Sequence, residues 1–185
     1  MQIQLNGKNL TLTPLARGTF SKVYTGDDGL IYVLMPARKG EQDYSKEAIA
    51  EFATGEHIPT IARHGEMYAP RLGYCDIYSM PQYHKLTGTA KRQALELRRA
   101  WQKYHDQNWR NMLKTGWYNF NFAMLESFRQ SGIDAAICDA IGAILDACSN
   151  YGDTYNLEFP LRNMRQDENG RLILLDIIYN VEALR

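Results

Sequence analysis

The sequence predicts an α+β chain of two lobes, an antiparallel sheet lobe followed by a helical lobe. Three observations predict it. Apolar residues alternate with polar ones between tight turns through residues 1–80. Apolar residues then recur at helical spacing, most clearly over 133–150. The last thirty residues return to short strands around an Asn169-Gly170 turn. At 185 residues the chain has the size of one domain.

Each element has its own signal. Residues 1–5 alternate, and residues 10–15 resume the pattern after Asn6-Gly7. That pair suits a two-residue hairpin turn, whose central residues both need positive φ. Residues 17–24 read as a turn entering a strand, and Asp27-Asp28-Gly29 is a second turn. Residues 30–35 form an apolar strand closed by Pro36. Residues 45–54 predict a helix, with Ser45 as its N-cap and Ala48, Ile49 and Phe52 on one face. His57-Ile58-Pro59 ends it, and residues 63–68 and 74–80 read as strands. A hinge over 81–84 leads to helices over 90–109, 120–129 and 133–150. In the last of these Ile133, Ile137, Ile141, Ile144, Leu145 and Cys148 share a stripe, and Gly152 stops it. Residues 171–178 predict one strong closing strand.

Composition narrows the function classes. The 21 basic and 21 acidic residues cancel, which excludes a wholly electrostatic nucleic-acid binder. Three cysteines are too few and odd in number for a disulfide framework, and Cys138 and Cys148 fall on the apolar helix as small core residues. The four histidines lack zinc spacing. No apolar run has signal-peptide length or approaches the ~20 residues of a membrane span. A cytoplasmic protein with no membrane partner is expected.

Three short elements carry chemistry. In Ala16-Arg17-Gly18-Thr19-Phe20-Ser21-Lys22-Val23-Tyr24, a glycine at a β-turn lets backbone N–H groups approach a phosphate. In Glu158-Phe159-Pro160-Leu161-Arg162-Asn163, a carboxylate precedes an amide by five residues. Asp176 follows Asn163 by thirteen residues, with a hairpin turn between them. A carboxylate, an amide oxygen and a second carboxylate suit Mg²⁺, a hard cation that takes oxygen ligands. Singly, Gly18 suits a plain hairpin, Asn163 a loop cap and Asp176 a strand end.

Together these elements resemble the eukaryotic-like protein kinases, whose catalytic loop has Asp-x-x-x-x-Asn followed by a hairpin and a metal-binding Asp. Glu158 takes the place of the first Asp, Asn163 matches, and Asp176 takes the place of the last. Within that fold the chain is similar to the small early protein kinases of short-tailed lytic phages. Gly18-Thr19-Phe20-Ser21 matches their Gly-x-Phe-Ser loop, and Ile58-Pro59 their Ile-Pro segment. The resemblance spans about residues 10–180. It implies a minimal two-lobed kinase-like fold in a host cytoplasm, with ATP and Mg²⁺ as cofactors and phosphoryl transfer to Ser or Thr of host proteins. It implies catalytic roles for Glu158, Asn163 and Asp176, metal ligation by Asn163 and Asp176, and nucleotide contacts from Gly18, Ser21, Val23 and Met80. Residues 80–83 would form the hinge, and Glu47 or Glu51 the glutamate of the conserved helix.

The chain also departs from that pattern. The phosphate-binding lysine should fall near Leu34, where there is none. Arg38 and Lys39 lie beyond Pro36, and strand alternation turns Lys22 away from the side of Ser21 and Val23. Glu158 is one methylene longer than Asp. Ile177-Ile178 replaces Phe-Gly, and the nine residues after Asp176 hold no activation segment. Two readings follow. One is a divergent active Ser/Thr kinase. The other is a pseudokinase that binds and modulates a host protein, and the lost lysine and altered base favour it.

A third reading concerns residues 85–114. Eight basic residues (Lys85, Lys91, Arg92, Arg98, Arg99, Lys103, Arg110 and Lys114) face only Glu96 and Asp106, a net +6. Trp101, Tyr104 and Trp109 are interleaved. Such a stretch suits an acidic protein surface or nucleic acid, with Lys91, Arg98, Arg99 and Lys103 at its centre. It equally suits a solvated helix whose aromatics face the core.

Overall fold

The computed structural model of the chain describes residues 1–18, 21–36 and 43–182. Its fold is α+β, with a six-stranded antiparallel sheet and a helical body, as the patterning predicts. The sheet comprises β1 (Gln2–Leu5), β2 (Lys8–Arg17), β3 (Lys22–Gly26), β4 (Ile31–Pro36), β5 (Ala62–Ala69) and β6 (Gly73–Met80), in the order β1-β2-β3-β4-β6-β5. The first hairpin turns on Asn6 at φ 49° and Gly7 at φ 77°, the positive values the Asn-Gly pair is suited to supply.

Period-two alternation gives the sheet two apolar faces. Tyr24, Tyr32, Leu34, Cys75 and Ile77 join Ile3, Leu5, Leu10 and Leu12 in one cluster. Ile31, Val33, Tyr78 and Met80 form a smaller cluster on the other face, joined by the partly buried Val23, Met35, Tyr83 and Leu175.

Helix α1 (Ser45–Phe52) lies between β4 and β5 in sequence and packs chiefly on α3 (Ala135–Ser149). Ala48 and Ile49 therefore belong to the main core, with Leu97, Phe128, Ile141, Ile144, Leu157 and Phe159. Four short strands complete this body. β7 (Tyr155–Leu157) pairs with β10 (Ile178–Asn180), and β8 (Met164–Gln166) pairs with β9 (Leu172–Leu174).

Several boundaries differ from the sequence reading. Ser45 is the first helical residue of α1 rather than its cap, and its N–H is bound by the carboxylate of Asp43 at 3.0 Å. Phe52 is 54% exposed, because α1 ends there and the ring lies at the rim, tilted against Tyr151. The two helices expected over 90–109 and 120–129 are both present but longer: the run α2 (Gly88–Gln130) is two helical segments that meet at a kink at Gly116, which has φ 77° and ψ 164°. The expected strand over 171–178 is two strands, parted at Leu175–Ile177 because its halves pair with different partners.

Candidate functional site

Two antiparallel pairings bring the chemical residues together. β7 pairs with β10 so that Leu157 lies opposite Ile178. Glu158 follows β7 and Asp176 lies just before β10, so the ladder sets them side by side, and Glu158 N–H donates to the Ile177 carbonyl at 2.8 Å. β8 pairs with β9 so that Met164 lies opposite Leu174. Asn163 precedes β8 and Leu175 follows β9, and the N–H groups of Leu175 and Asp176 both donate to the Asn163 carbonyl, at 3.0 and 3.1 Å. A single 3-10 turn, Leu161–Asn163, carries the chain from Glu158 back to that point.

The side chains complete the constellation. Asn163 Nδ2 donates to Glu158 Oε1 at 3.0 Å and to the Asp176 backbone carbonyl at 2.6 Å. Both bonds use the amide nitrogen, which leaves the amide oxygen as an acceptor. Lys46, from the first turn of α1, donates to Asp176 Oδ1 at 2.8 Å. The two ends differ in setting: the Lys46 side chain is 11% exposed and that of Asp176 53%.

Gly18 just after β2, Ser21 just before β3, Met35 of β4, Asp43 and Lys46 from α1 and its approach, and Glu158, Arg162 and Asp176 line one cavity of about 230 Å³. Gly18 N–H donates to the Ser21 carbonyl at 2.9 Å. A Cβ there would lie 2.9 Å from Ser21 Oγ. Val23 and Met80 lie in the small apolar cluster beside this cavity rather than in its lining. A larger hollow of about 650 Å³, bordered by Leu30, Ile58, Tyr83, His84, Asp167 and Arg171, contains none of these site residues.

The charges in the cavity act on one another. Burial raises the Glu158 carboxyl above the ordinary carboxylate range and Asp176 adds to this, while Arg162 and the Asn163 bond oppose it. Burial likewise raises the Asp43 carboxyl, against the Ser45 hydrogen bonds and the Lys46 charge. For Lys46 burial works against the ammonium, but Asp176 and Asp43 outweigh it and hold the group above the ordinary lysine range.

Other sequence candidates lie elsewhere. Glu47 and Glu51 pair with Arg63 at 3.1 and 3.6 Å, and Arg63 also meets Asp76, so neither glutamate takes part at Asp176. Lys22 lies opposite Leu34, and Leu34 packs in the sheet cluster away from Val33. Thr19, Phe20, Arg38 and Lys39 fall outside the described residues. All eight basic residues of 85–114 are exposed, whereas Trp101 and Tyr104 pack against the core. Trp109 is 44% exposed, with the Arg110 guanidinium 5.9 Å from its ring centre.

Sequence reasoning missed Lys46, Asp43 and Asn121. Asn121 is fully buried on α2 and clamps β7, donating to the Tyr155 carbonyl at 2.7 Å and accepting from Leu157 N–H at 3.4 Å. A polar residue inside an otherwise apolar helical stripe was its only signal.

Among the described residues no three His, Cys, Asp or Glu side chains gather as a metal cluster, and no helix is long and apolar enough to cross a membrane. No protein-family model matches the chain, and no curated protein matches it.

Proposed function

We propose that the chain is a minimal two-lobed kinase-like phosphotransferase that binds ATP with Mg²⁺ and passes the γ-phosphoryl group to a Ser or Thr hydroxyl of a host protein. The observation that carries this reading is the Asn163 side chain, which lies outside the cavity lining but ties Glu158 Oε1 to the backbone of Asp176, two residues that line one cavity with Gly18. Asp-x-x-x-x-Asn, a hairpin and a second Asp serve phosphoryl transfer by holding a hydroxyl and a metal in place. Here Glu158, Asn163 and Asp176 occupy those positions in sequence and adjoin in space.

The donor set fits the metal. Asp176 offers a half-exposed carboxylate and Asn163 an amide oxygen, both hard ligands of the kind Mg²⁺ takes. Bound there, Mg²⁺ would neutralise charge on the phosphates. The cavity of about 230 Å³ is smaller than the about 300–1,000 Å³ of a drug-sized ligand site. It suits the phosphate tail. The partly buried Val23, Tyr83 and Leu175, beside Val33 and Met80, offer an apolar surface for the base. Gly18 is the position at which the resemblance expects loop amides to approach phosphate, and it lines the cavity. Glu158, with its carboxyl held above the ordinary range, is suited to orient and accept a proton from the substrate hydroxyl.

The second reading, a pseudokinase acting as a binding module, draws support from Glu158 itself. Its longer side chain is already engaged by Asn163, and a displacement of about 1 Å at a catalytic group can cost 10²-fold. Incubation with γ-labelled ATP, Mg²⁺ and host lysate separates the two. Transfer to Ser or Thr that is lost in Asp176→Asn supports the kinase. Nucleotide binding without transfer supports the binding module.

A further inference from the structure

We propose that Lys46 is the residue that receives the nucleotide phosphates, a duty moved from strand β4 to helix α1; this rests on the kinase-like reading above. Strand β4 offers no cation to the cavity. Leu34, where the resemblance expects lysine, is fully buried on the far face of the sheet. Lys22 lies opposite Leu34 in register and shares its direction. The β4 residue that does line the cavity is Met35, which is uncharged.

Helix α1 supplies the charge instead. The Lys46 side chain lines the cavity with Gly18 and Ser21, is 11% exposed, and reaches Asp176 Oδ1. A lysine ammonium has three donors. Asp176 takes one, which leaves two for phosphate oxygens. Asp43, also buried in the lining, faces the same ammonium with a second negative charge. Its own carboxylate is fixed by the Ser45 N–H bond. A buried lysine paired with a half-exposed carboxylate is weakly favourable as a structural device, because the desolvation penalty offsets the attraction. The arrangement is well suited to a polyanion that enters the cavity. Arg162 also lines it, but from the exposed side of the 3-10 turn.

The test compares ADP with adenosine in EDTA, so that no metal carries the phosphate charge. For the wild type, ADP should bind more tightly than adenosine. Lys46→Met should weaken ADP binding about ten- to hundredfold, the usual range for a charge-assisted hydrogen bond, and leave adenosine unchanged. Lys46→Arg should keep most of the ADP affinity. Met35→Lys added to Lys46→Met should recover part of it, by returning the charge to the strand. Equal ADP affinity in wild type and Lys46→Met overturns the proposal while the kinase-like reading stands. A wild type that binds neither ADP nor adenosine overturns that reading and this proposal together.

A measurement on wild-type protein decides the matter if Lys46→Met does not fold. An acyl phosphate of ADP passes its acyl group to an adjacent lysine amine and releases ADP. It should acylate Lys46, with protection by excess ADP. Acylation confined to Lys22 or Lys39, or to no lysine, overturns the proposal.

Discussion

The ammonium of Lys46 lies 2.8 Å from Oδ1 of Asp176, a pair formed across 130 residues of chain. It joins α1 to the segment between β9 and β10. The two partners are unequally buried, and that inequality makes the pair testable. Asp176→Asn strands a buried cation that keeps only Asp43 as an opposing charge. Lys46→Met strands a carboxylate that water already reaches. Asp176→Asn is therefore expected to destabilise the fold more, between the about 1 kcal/mol of an exposed pair and the about 3–5 kcal/mol of a broken buried one. Urea midpoints of the two variants check the order. The reverse order would mean that Asp176 is not the main support of Lys46.

Glu158 gives a pH-dependent prediction. Burial holds its carboxyl above the ordinary range, so the folded protein keeps this proton longer than the unfolded chain does. Its contribution to stability therefore falls as pH rises through and just above the carboxylate range. Glu158→Gln removes that charge and keeps an oxygen to accept from Asn163. The variant should match wild type in acid and equal or exceed it in stability at neutral pH, while phosphoryl transfer is lost. Denaturation curves at about pH 4 and pH 7 supply the comparison.

At Gly18 a methyl group would sit 2.9 Å from Ser21 Oγ. Gly18→Ala should lower stability by about 1 kcal/mol, since the hydroxyl must turn aside at a partly open site. Gly18→Ala combined with Ser21→Ala should recover most of that loss. A thermal-melt double-mutant cycle reads the coupling, and additive effects would place the clash elsewhere.

Asn121 holds β7, and β7 carries Glu158. Replacing Asn121 with Ala leaves the Tyr155 carbonyl and the Leu157 N–H without this partner in a buried setting. The expected cost is about 1–3 kcal/mol. Hydrogen exchange should show faster opening of β7 and β10 than of β4 and β6. Uniform opening would contradict a local clamp.

Much of the fold is legible because it depends on local periodicity. The alternation of Tyr32, Val33 and Leu34 sorts these residues to two faces whatever lies beyond them, and Asn6-Gly7 fixes a hairpin by its own backbone preference. Asp176 and Asn163 are legible for a related reason, since a hairpin of known length returns the chain to its starting point. Lys46 is not legible. It stands beside Glu47 in an ordinary charged turn, and its burial depends on α3 and on an aspartate 130 residues away. The break between the two helical segments of α2 is legible, because Gly116 supplies the positive φ of the kink, whereas their extension through 110–115 and 117–119 carries no clear apolar stripe. The basic stretch was ambiguous in sequence. Tyr104 and Trp101 resolve part of it, since they pack inward while Arg98, Arg99 and Lys103 are exposed.

The central claim is that the cavity bounded by Gly18, Lys46, Glu158 and Asp176 is a nucleotide site. Titration of Mg²⁺-ATP into the whole protein, followed by calorimetry for wild type and Asp176→Asn, tests it most directly. Saturable one-to-one binding by wild type that is lost or strongly weakened in a folded Asp176→Asn is the predicted result. No binding by wild type, or equal binding by both proteins, would contradict it.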